Sequence, residues 1–511
     1  MNLLSTSPSP LPLTEIFSTL SPEQLACVTH VQQSPQSLVI NARAGSGKSY
    51  CLEAIMVAIN HSYPGANIAL LSFNTSVAEE LQRKVTARGI LRCTVGTAHR
   101  FGKMICEAHL KKRFSPTLYK LSDILKTFCP PNIKWSEQKL ITNFADLCKN
   151  AGVGVVLPLT TESLNNLFNH HDIDLPEKKL SKFQLLDLTL KLLRASSETT
   201  TKLDISDLIW MPLVHCWPAE TQYDFVIIDE AQDINATRRE LVKRLLKPSG
   251  TVIAVGDPAQ AIYGFTGADV DALTLLSTDF SAKELSLTYS RRCAQSVIRH
   301  AQAVVPTINH LPDAPFGSVT RIPYPAFTMR LRVENHSTSA VLCRKNAPLF
   351  TLAIELLQNN IPCRMENSDV LNKIQALQKK LAPTNLIEFL QLLNQHESEQ
   401  SSKLSSYKLS ELQDLLTCIR HFASISSSLS DFNTKLKTLF APAEPSNPIL
   451  TLSSIHKSKG LEWPTVFLLG RNVWMPSPFA TLPWMLQQES NLTYVAITRA
   501  KTHLVEVTVV E

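Results

Sequence analysis

Asn41-Ala-Arg-Ala-Gly-Ser-Gly-Lys-Ser49 decides how the rest of the chain is read. The apolar run Ser37–Asn41 leads into it like a buried strand, and a helix-like stretch follows. Glycines 45 and 47 let successive backbone N–H groups curl around a phosphate, and the helix N-terminus adds partial positive charge. In that setting Lys48 neutralises the outer phosphates and Ser49 offers its hydroxyl to Mg²⁺. The phosphate-facing residues are then Ala44, Gly45, Ser46, Gly47, Lys48 and Ser49. The strict form of the pattern has glycine where Ala42 stands. The alternative, a Gly/Ser turn carrying a surface lysine, fits the strand–loop–helix context poorly.

Outward from the loop, Ala66–Phe73, Tyr223–Glu230 and Gly250–Asp257 also have the make-up of buried parallel strands, with helix-like stretches between them. The pattern returns at Ser339–Cys343, Ile449–Ser454, Thr465–Gly470 and His503–Val510. The fold class is therefore expected to be α/β, in two halves. A helical stretch from about Phe101 to Lys202 interrupts the first half, and another from about Asp369 to Phe440 interrupts the second. Ser-rich segments break the second stretch and the Pro-rich Ala441–Pro448 closes it.

Composition narrows the function. The chain has 511 residues, 44% of them hydrophobic, enough for several cores. A net charge of +6 excludes a histone-like mechanism but allows a local basic groove. The 11 cysteines include no CxxC pair, so neither a disulfide scaffold nor a zinc site is expected, and a reducing, cytoplasmic setting fits. No apolar run approaches about 18 residues, so no membrane span is expected. The Ser/Pro/Leu-rich start reads as a disordered lead-in over 1–18.

Val226-Ile-Ile-Asp-Glu-Ala-Gln-Asp233 ends the third expected strand. A carboxylate at the C-terminal end of a parallel strand can hold Mg²⁺ opposite the phosphate loop, which is the role of Asp229. Glu230 is placed to polarise an attacking water. A solvated acidic strand end is the plainer alternative, and the phosphate loop upstream weighs against it.

Together these two motifs resemble the UvrD/Rep/PcrA type of superfamily 1 helicases, and further segments resemble that family in its order from Leu20 to Lys501. By this resemblance Gln24, in Leu20-Ser-Pro-Glu-Gln24, reads the adenine edge. Phe73 in Leu71-Ser-Phe-Asn74 and Thr97 and His99 in Val95-Gly-Thr-Ala-His-Arg-Phe101 contact single-stranded DNA. In Val255-Gly-Asp-Pro-Ala-Gln-Ala-Ile-Tyr-Gly-Phe265, Gln260 senses the γ-phosphate while Tyr263 and Phe265 face bases. Arg292, in Leu287-Thr-Tyr-Ser-Arg-Arg-Cys293, reaches the γ-phosphate, and Arg291 takes the place of a tyrosine that stacks on adenine. Thr451–Glu462 resembles the motif in which Glu462 meets the ribose, with His456 and Trp463 towards DNA. Arg499 in Leu492–Lys501 aligns with an arginine finger. Residue by residue, Phe73 and Trp463 are as readily core, and His99 and His456 as readily scaffold. Departures from the family pattern are Arg43 and Ser76, where a small residue and Lys are usual, Thr266 in place of Arg, and Arg291.

The resemblance implies two RecA-like domains: 19–102 with 203–285, and 286–368 with 449–511. The helical insertions are 103–202 and a short 369–448. It implies an ATP- and Mg²⁺-dependent motor that moves 3′→5′ on single-stranded DNA and unwinds duplex DNA in repair, recombination or replication, with ATP in the cleft between the domains. After Lys501 there is no room for an appended nuclease domain. Rival expectations are a DNA-sensing ATPase subunit of a larger protein complex such as an anti-phage assembly, an RNA helicase, and a non-catalytic nucleic-acid-binding module. Stacking aromatics alone do not separate DNA from RNA.

Overall fold

The run before the glycine loop forms strand β1, Leu38–Ala42, and each later strand of the same sheet runs parallel to its neighbours. The computed structural model describes residues 17–510 except 35, 73, 174, 176–179, 265–266, 268–270, 334–336, 367, 402–403, 405 and 442–448. Phe73, Phe265, Thr266 and nearly all of the expected lead-in thus lie outside the described residues. The chain divides after Thr288 into two compact units.

In the first unit β2 (Ile68–Ser72), β3 (Cys93–Thr97), β4 (Tyr223–Ile228), β5 (Leu246–Gly256) and β6 (Lys283–Leu287) join β1 in the order β3-β2-β4-β5-β1-β6. One face of this sheet packs Leu38, Ile40, Leu70 and Ile227 against Cys27, Val28, Leu52 and Ile55 of helices Pro22–Gln33 and Lys48–Ser62. The first of these helices has a Ser21/Gln24 capping box and Pro22 in its first turn. The other face packs Val39, Leu71 and Val226 against Ile141, Phe144, Leu192 and Trp210, contributed by helices that lie between β3 and β4. Those helices share one continuous core with the sheet.

Two features tie them down. Gly102 lies so close to a neighbouring helix that a Cβ there would meet the carbonyl oxygen of Leu208 at 2.1 Å. Asp207, next to Leu208, belongs to a buried charge cluster. Lys149 Nζ lies 2.8 Å from Asp204 Oδ2 and 2.7 Å from Asp207 Oδ1. Lys120 Nζ lies 2.6 Å from Asp207 Oδ2 and donates to the Ser196 carbonyl at 2.8 Å. Charges this deep persist only when paired and hydrogen-bonded.

The second unit begins with a two-stranded ladder, β7 (Tyr289–Ser290) with β8 (Asn309–His310). Its main sheet contains β9 (Ser318–Pro323), β10 (Ser339–Cys343), β11 (Cys363–Met365), β12 (Leu450–Ser454), β13 (Trp463–Leu469) and β14 (Ala500–Thr508). The order is β11-β12-β10-β13-β14-β9, again with parallel pairings. Helices Ser368–Leu381, Leu386–Ser401, Ser406–Ser424 and Leu429–Leu439 lie between β11 and β12. Phe389, Phe422 and Phe432 from this group pack in one core with Phe350, Leu452 and Phe467. Both units are RecA-like parallel α/β folds with mostly helical insertions, the class expected from the sequence.

Besides the short β7–β8 ladder, four strands of the two main sheets were not expected: β3, β6, β9 and β11. Each is the outermost strand of its sheet. An edge strand is covered less completely than a central one, so it need not be a continuous apolar run. Lys283-Glu-Leu-Ser-Leu287 and Ser318-Val-Thr-Arg-Ile-Pro323 show the consequence, mixing charged and polar residues with apolar ones. Among the described residues no helix is long and apolar enough to cross a membrane.

The buried cluster generates a stability prediction. Asp207, whose side chain is 0% exposed, partners both lysines. Asp207→Ala should cost about 3–5 kcal/mol in urea denaturation, because it leaves the buried Lys120 ammonium without a carboxylate and Lys149 with Asp204 alone. A loss below about 1 kcal/mol would show that the lysines re-solvate freely.

Candidate functional site

Parallel strands deliver their C-terminal ends to one sheet edge, where ligands of such folds bind. In the first sheet Asn41 is in register with Gly256 and Ile228 with Ala254. Arg43, Asp229 and Asp257 therefore leave β1, β4 and β5 at the same edge.

The loop after β1 is held by its own backbone. The Arg43 N–H donates to the Leu287 carbonyl at 2.8 Å, and the Arg43 carbonyl accepts from the Ser46 N–H at 3.1 Å. Gly47 has φ 81°, the left-handed region that glycine enters without strain, and no side chain caps the helix that starts at Lys48. Ser46 Oγ is buried and has no hydrogen-bond partner among the described residues. Buried hydroxyls are normally paired, and a phosphate oxygen in this loop would supply the partner. Gln24, 1% exposed, supports the loop from behind. Its amide nitrogen approaches the Ser46 and Gly47 carbonyls at 3.3 and 3.4 Å, while its oxygen accepts from the Ser21 N–H. In this arrangement its side chain is engaged with the loop and its own helix cap.

Lys48 Nζ lies 3.1 Å from both carboxylate oxygens of Glu230. Burial alone would lower the lysine pKa, but Glu230, Asp257 and Asp229 together raise it. Burial, reinforced by the Glu230 carboxylate, pushes the Asp229 carboxyl up to about 6. Glu230 sits at φ 51°, ψ 45°, a left-handed conformation that strains a residue with a Cβ. Such strain is retained at sites where a side chain must point in one direction. Its N–H is held by Asp229 Oδ1 at 2.9 Å, and its Oε2 accepts from Gln232 Nε2 at 2.5 Å.

Sequence reasoning assigned no role to Asp257 or Gln232, although both stand inside quoted motifs. Asp257 is fully buried. Its carboxylate accepts from Gln260 Nε2 at 2.7 Å and the Ala259 N–H at 3.1 Å, and pairs with Arg43 Nη1 at 3.3 Å. Its own N–H donates to Gln232 Oε1 at 3.0 Å. The unusual Arg43 thus has a specific counter-ion. Residue type gave no signal of this pairing, which follows from strand register.

Of the expected DNA contacts in this unit, Thr97 ends β3 at the same sheet edge and caps the next helix, accepting from the Arg100 N–H at 3.3 Å. His99 lines a cleft of about 610 Å³ with Asp233, Asn235 and Arg238. Burial and the nearby Arg238 lower its pKa to about 4, so it is neutral at physiological pH. Tyr263 is half-buried. Ser49, in the first turn of its helix, is exposed.

The second unit separates its expected residues onto two sheet edges. Trp463 pairs with Ala500 at the N-terminal ends of β13 and β14, so Glu462, Trp463 and Arg499 cluster there. Arg292 joins them: it pairs with Glu462 and reaches the Thr498 carbonyl at 3.4 Å. Lys501 Nζ also lies 2.8 Å from Glu462. Arg499 is 1% exposed and donates to the carbonyls of Val495 and Leu461 at 3.1 and 3.0 Å. Arg291 is exposed. His456 follows β12 at the opposite, C-terminal edge, so the structure does not bring it together with Trp463. Burial, with Arg344 and Lys457 nearby, lowers the His456 pKa to about 3. Like His99 it can offer hydrogen bonds to a ligand but no charge.

Two predictions follow from this geometry. An acid whose pKa rises on folding opposes folding above that pKa and not below its unfolded value, about 3.9 for Asp. Asp229→Asn should therefore raise Tm at pH 7.5, with the gain fading between pH 6 and 4 in melts across that range. A gain that is independent of pH would contradict the assignment. The two arginines should also differ. Arg499→Ala takes a donor from the carbonyls of Leu461 and Val495, leaves a space where a buried side chain stood, and should lower Tm by several degrees, about 1–3 kcal/mol, whereas the more exposed Arg292 should tolerate Ala with little change. Equal melting of the two variants would refute the contrast.

Comparison with known proteins agrees with the architecture. The model of the UvrD/REP helicase N-terminal domain matches residues 20–281, and that of the UvrD-like helicase C-terminal domain matches residues 368–510. The chain is 24% identical to a probable DNA helicase II homolog of Mycoplasma genitalium, over 91% of this chain and 82% of that protein. It is 26% identical to the F-box DNA helicase protein 1 of Schizosaccharomyces pombe, over 95% of this chain and 57% of that one. With the ATP-dependent DNA helicase Rep of Buchnera aphidicola it shares 25% identity over 52% of this chain and 42% of that protein. The parallel sheets, the glycine loop with its acidic partners and these matches place the chain in the UvrD/Rep family of DNA helicases.

Proposed function

We propose that this DNA helicase-family chain hydrolyses ATP with Mg²⁺, uses the energy to move 3′→5′ along single-stranded DNA, and unwinds duplex ahead of it. The observation that carries this reading is the glycine loop with its orphan Ser46 hydroxyl, set beside the Lys48–Glu230 pair and the buried Asp229. Repair, recombination or replication in the cytoplasm is the setting this motor fits.

Phosphoryl transfer asks for positioning and charge rather than covalent chemistry. The loop amides from Ala44 to Ser49 and the Lys48 ammonium would hold the β- and γ-phosphates. Ser49 and Asp229 would hold Mg²⁺, which neutralises phosphate oxygens when bound. Lys48 then moves from Glu230 to the phosphates, and Glu230 is left to orient a water and take its proton. Gln260 would sense the γ-phosphate. Arg292 would add charge there as the more exposed of the two arginines, whereas Arg499 is buried and committed to carbonyls of its own unit. Gln24, Arg291 and Glu462 would border the nucleoside. Thr97, His99, Tyr263 and His456 would contact DNA through hydrogen bonds and stacking, without reading sequence.

The test is ATP hydrolysis with and without single-stranded DNA, comparing the wild type with Glu230→Gln. DNA should stimulate the wild type strongly, and the variant should lose about 10²–10⁴-fold in kcat while still binding ATP. Partial duplexes should unwind only from a 3′ single-stranded tail. Absence of hydrolysis in the wild type, or an unimpaired variant, would overturn the reading.

A further inference from the structure

We propose that Arg43 is a positioning residue that orients the Gln260 amide through Asp257. This rests on the nucleotide-site reading above and adds to it a group that neither the sequence motifs nor the family matches assign.

The Asp257 carboxylate is fully buried and has two oxygens to satisfy. Oδ1 receives Arg43 Nη1 and the Ala259 N–H, and Oδ2 receives Gln260 Nε2 at 2.7 Å. A carboxylate only accepts, so the NH₂ end of the Gln260 amide must face Asp257 and its oxygen must face away. Arg43 places a full positive charge in contact with this buried carboxylate and occupies one of the directions open at Oδ1. Without it the buried carboxylate loses its charged partner and one of the contacts that hold it in place, and the Gln260 amide loses a fixed acceptor to set its direction.

The same residues join the two ends of the phosphate loop. From Arg43 the chain of contacts runs to Asp257, through the Asp257 N–H to Gln232, from Gln232 to Glu230, and from Glu230 to Lys48. Arg43 and Lys48 flank the glycines, so the loop is closed by a ring of side-chain contacts on its outer side. Loss of Arg43 opens that ring at the Gln260 end and leaves the Lys48–Glu230 end intact. The expected defect is therefore in the chemical step rather than in nucleotide binding.

The experiment measures kcat and KM for ATP at saturating single-stranded DNA, and binding of a fluorescent ATP analogue with Mg²⁺. The variants are Arg43→Ala, Arg43→Lys, Gln260→Ala, the Arg43→Ala/Gln260→Ala pair, and Lys48→Ala as control. Arg43→Ala should lower kcat about tenfold and change KM and analogue binding less than about threefold. Arg43→Lys should recover part of the loss. The double variant should be no slower than Gln260→Ala alone, because both substitutions remove one interaction. Additive losses, an increase in KM at unchanged kcat, or wild-type kinetics in Arg43→Ala would each overturn the proposal. If Arg43→Ala melts below the assay temperature, Arg43→Lys with Gln260→Ala completes the same cycle. In this experiment the nucleotide reading fails separately, if Lys48→Ala binds the analogue as tightly as the wild type does.

Discussion

Three carboxylates, those of Asp229, Glu230 and Asp257, crowd the C-terminal edge of one parallel sheet, and the loop that rises beside them carries two cations. Lys48 lies on Glu230 and Arg43 on Asp257. Like charges packed this closely and this deeply are tolerable only with counter-charges in contact. Much else in the first unit serves that constraint. Gln24 braces the loop, the strained Glu230 backbone aims its carboxylate at Lys48, and Gln232 links one acid to the next. The rise in the Asp229 pKa marks where the cancellation is incomplete. On the proposed reading a divalent cation would complete it.

The second unit handles charge differently. Its arginines 292 and 499 come from distant parts of the chain and converge on Thr498, with Glu462 neutralising Arg292 and Lys501. A parallel sheet stands between this cluster and His456. The arginine cluster, which includes Trp463, and His456 therefore occupy opposite edges of one sheet.

How much could be read in advance depended on the kind of burial. Central strands such as Tyr223–Ile228 and Ser339–Cys343 are covered on both faces and announce themselves as apolar runs. The edge strands β3, β6, β9 and β11 do not, because partial cover leaves room for Lys283, Glu284 and Arg321. The helical insertions were visible as long stretches without strand character. Their shared cores with the sheets were not, since a residue such as Phe144 or Phe389 carries no mark of its partner.

The site divides along the same line. Local sequence alone determined that a glycine loop follows a strand and that Asp229 and Glu230 end another, because both are patterns of neighbouring residues whose backbone geometry is set over a few positions. Tertiary structure alone decided that Arg43 meets Asp257, that Arg499 turns inward, and that His456 and Trp463 lie apart. Each of those outcomes depends on the register and order of strands far apart in the chain, and register is a property of the assembled sheet rather than of any segment within it.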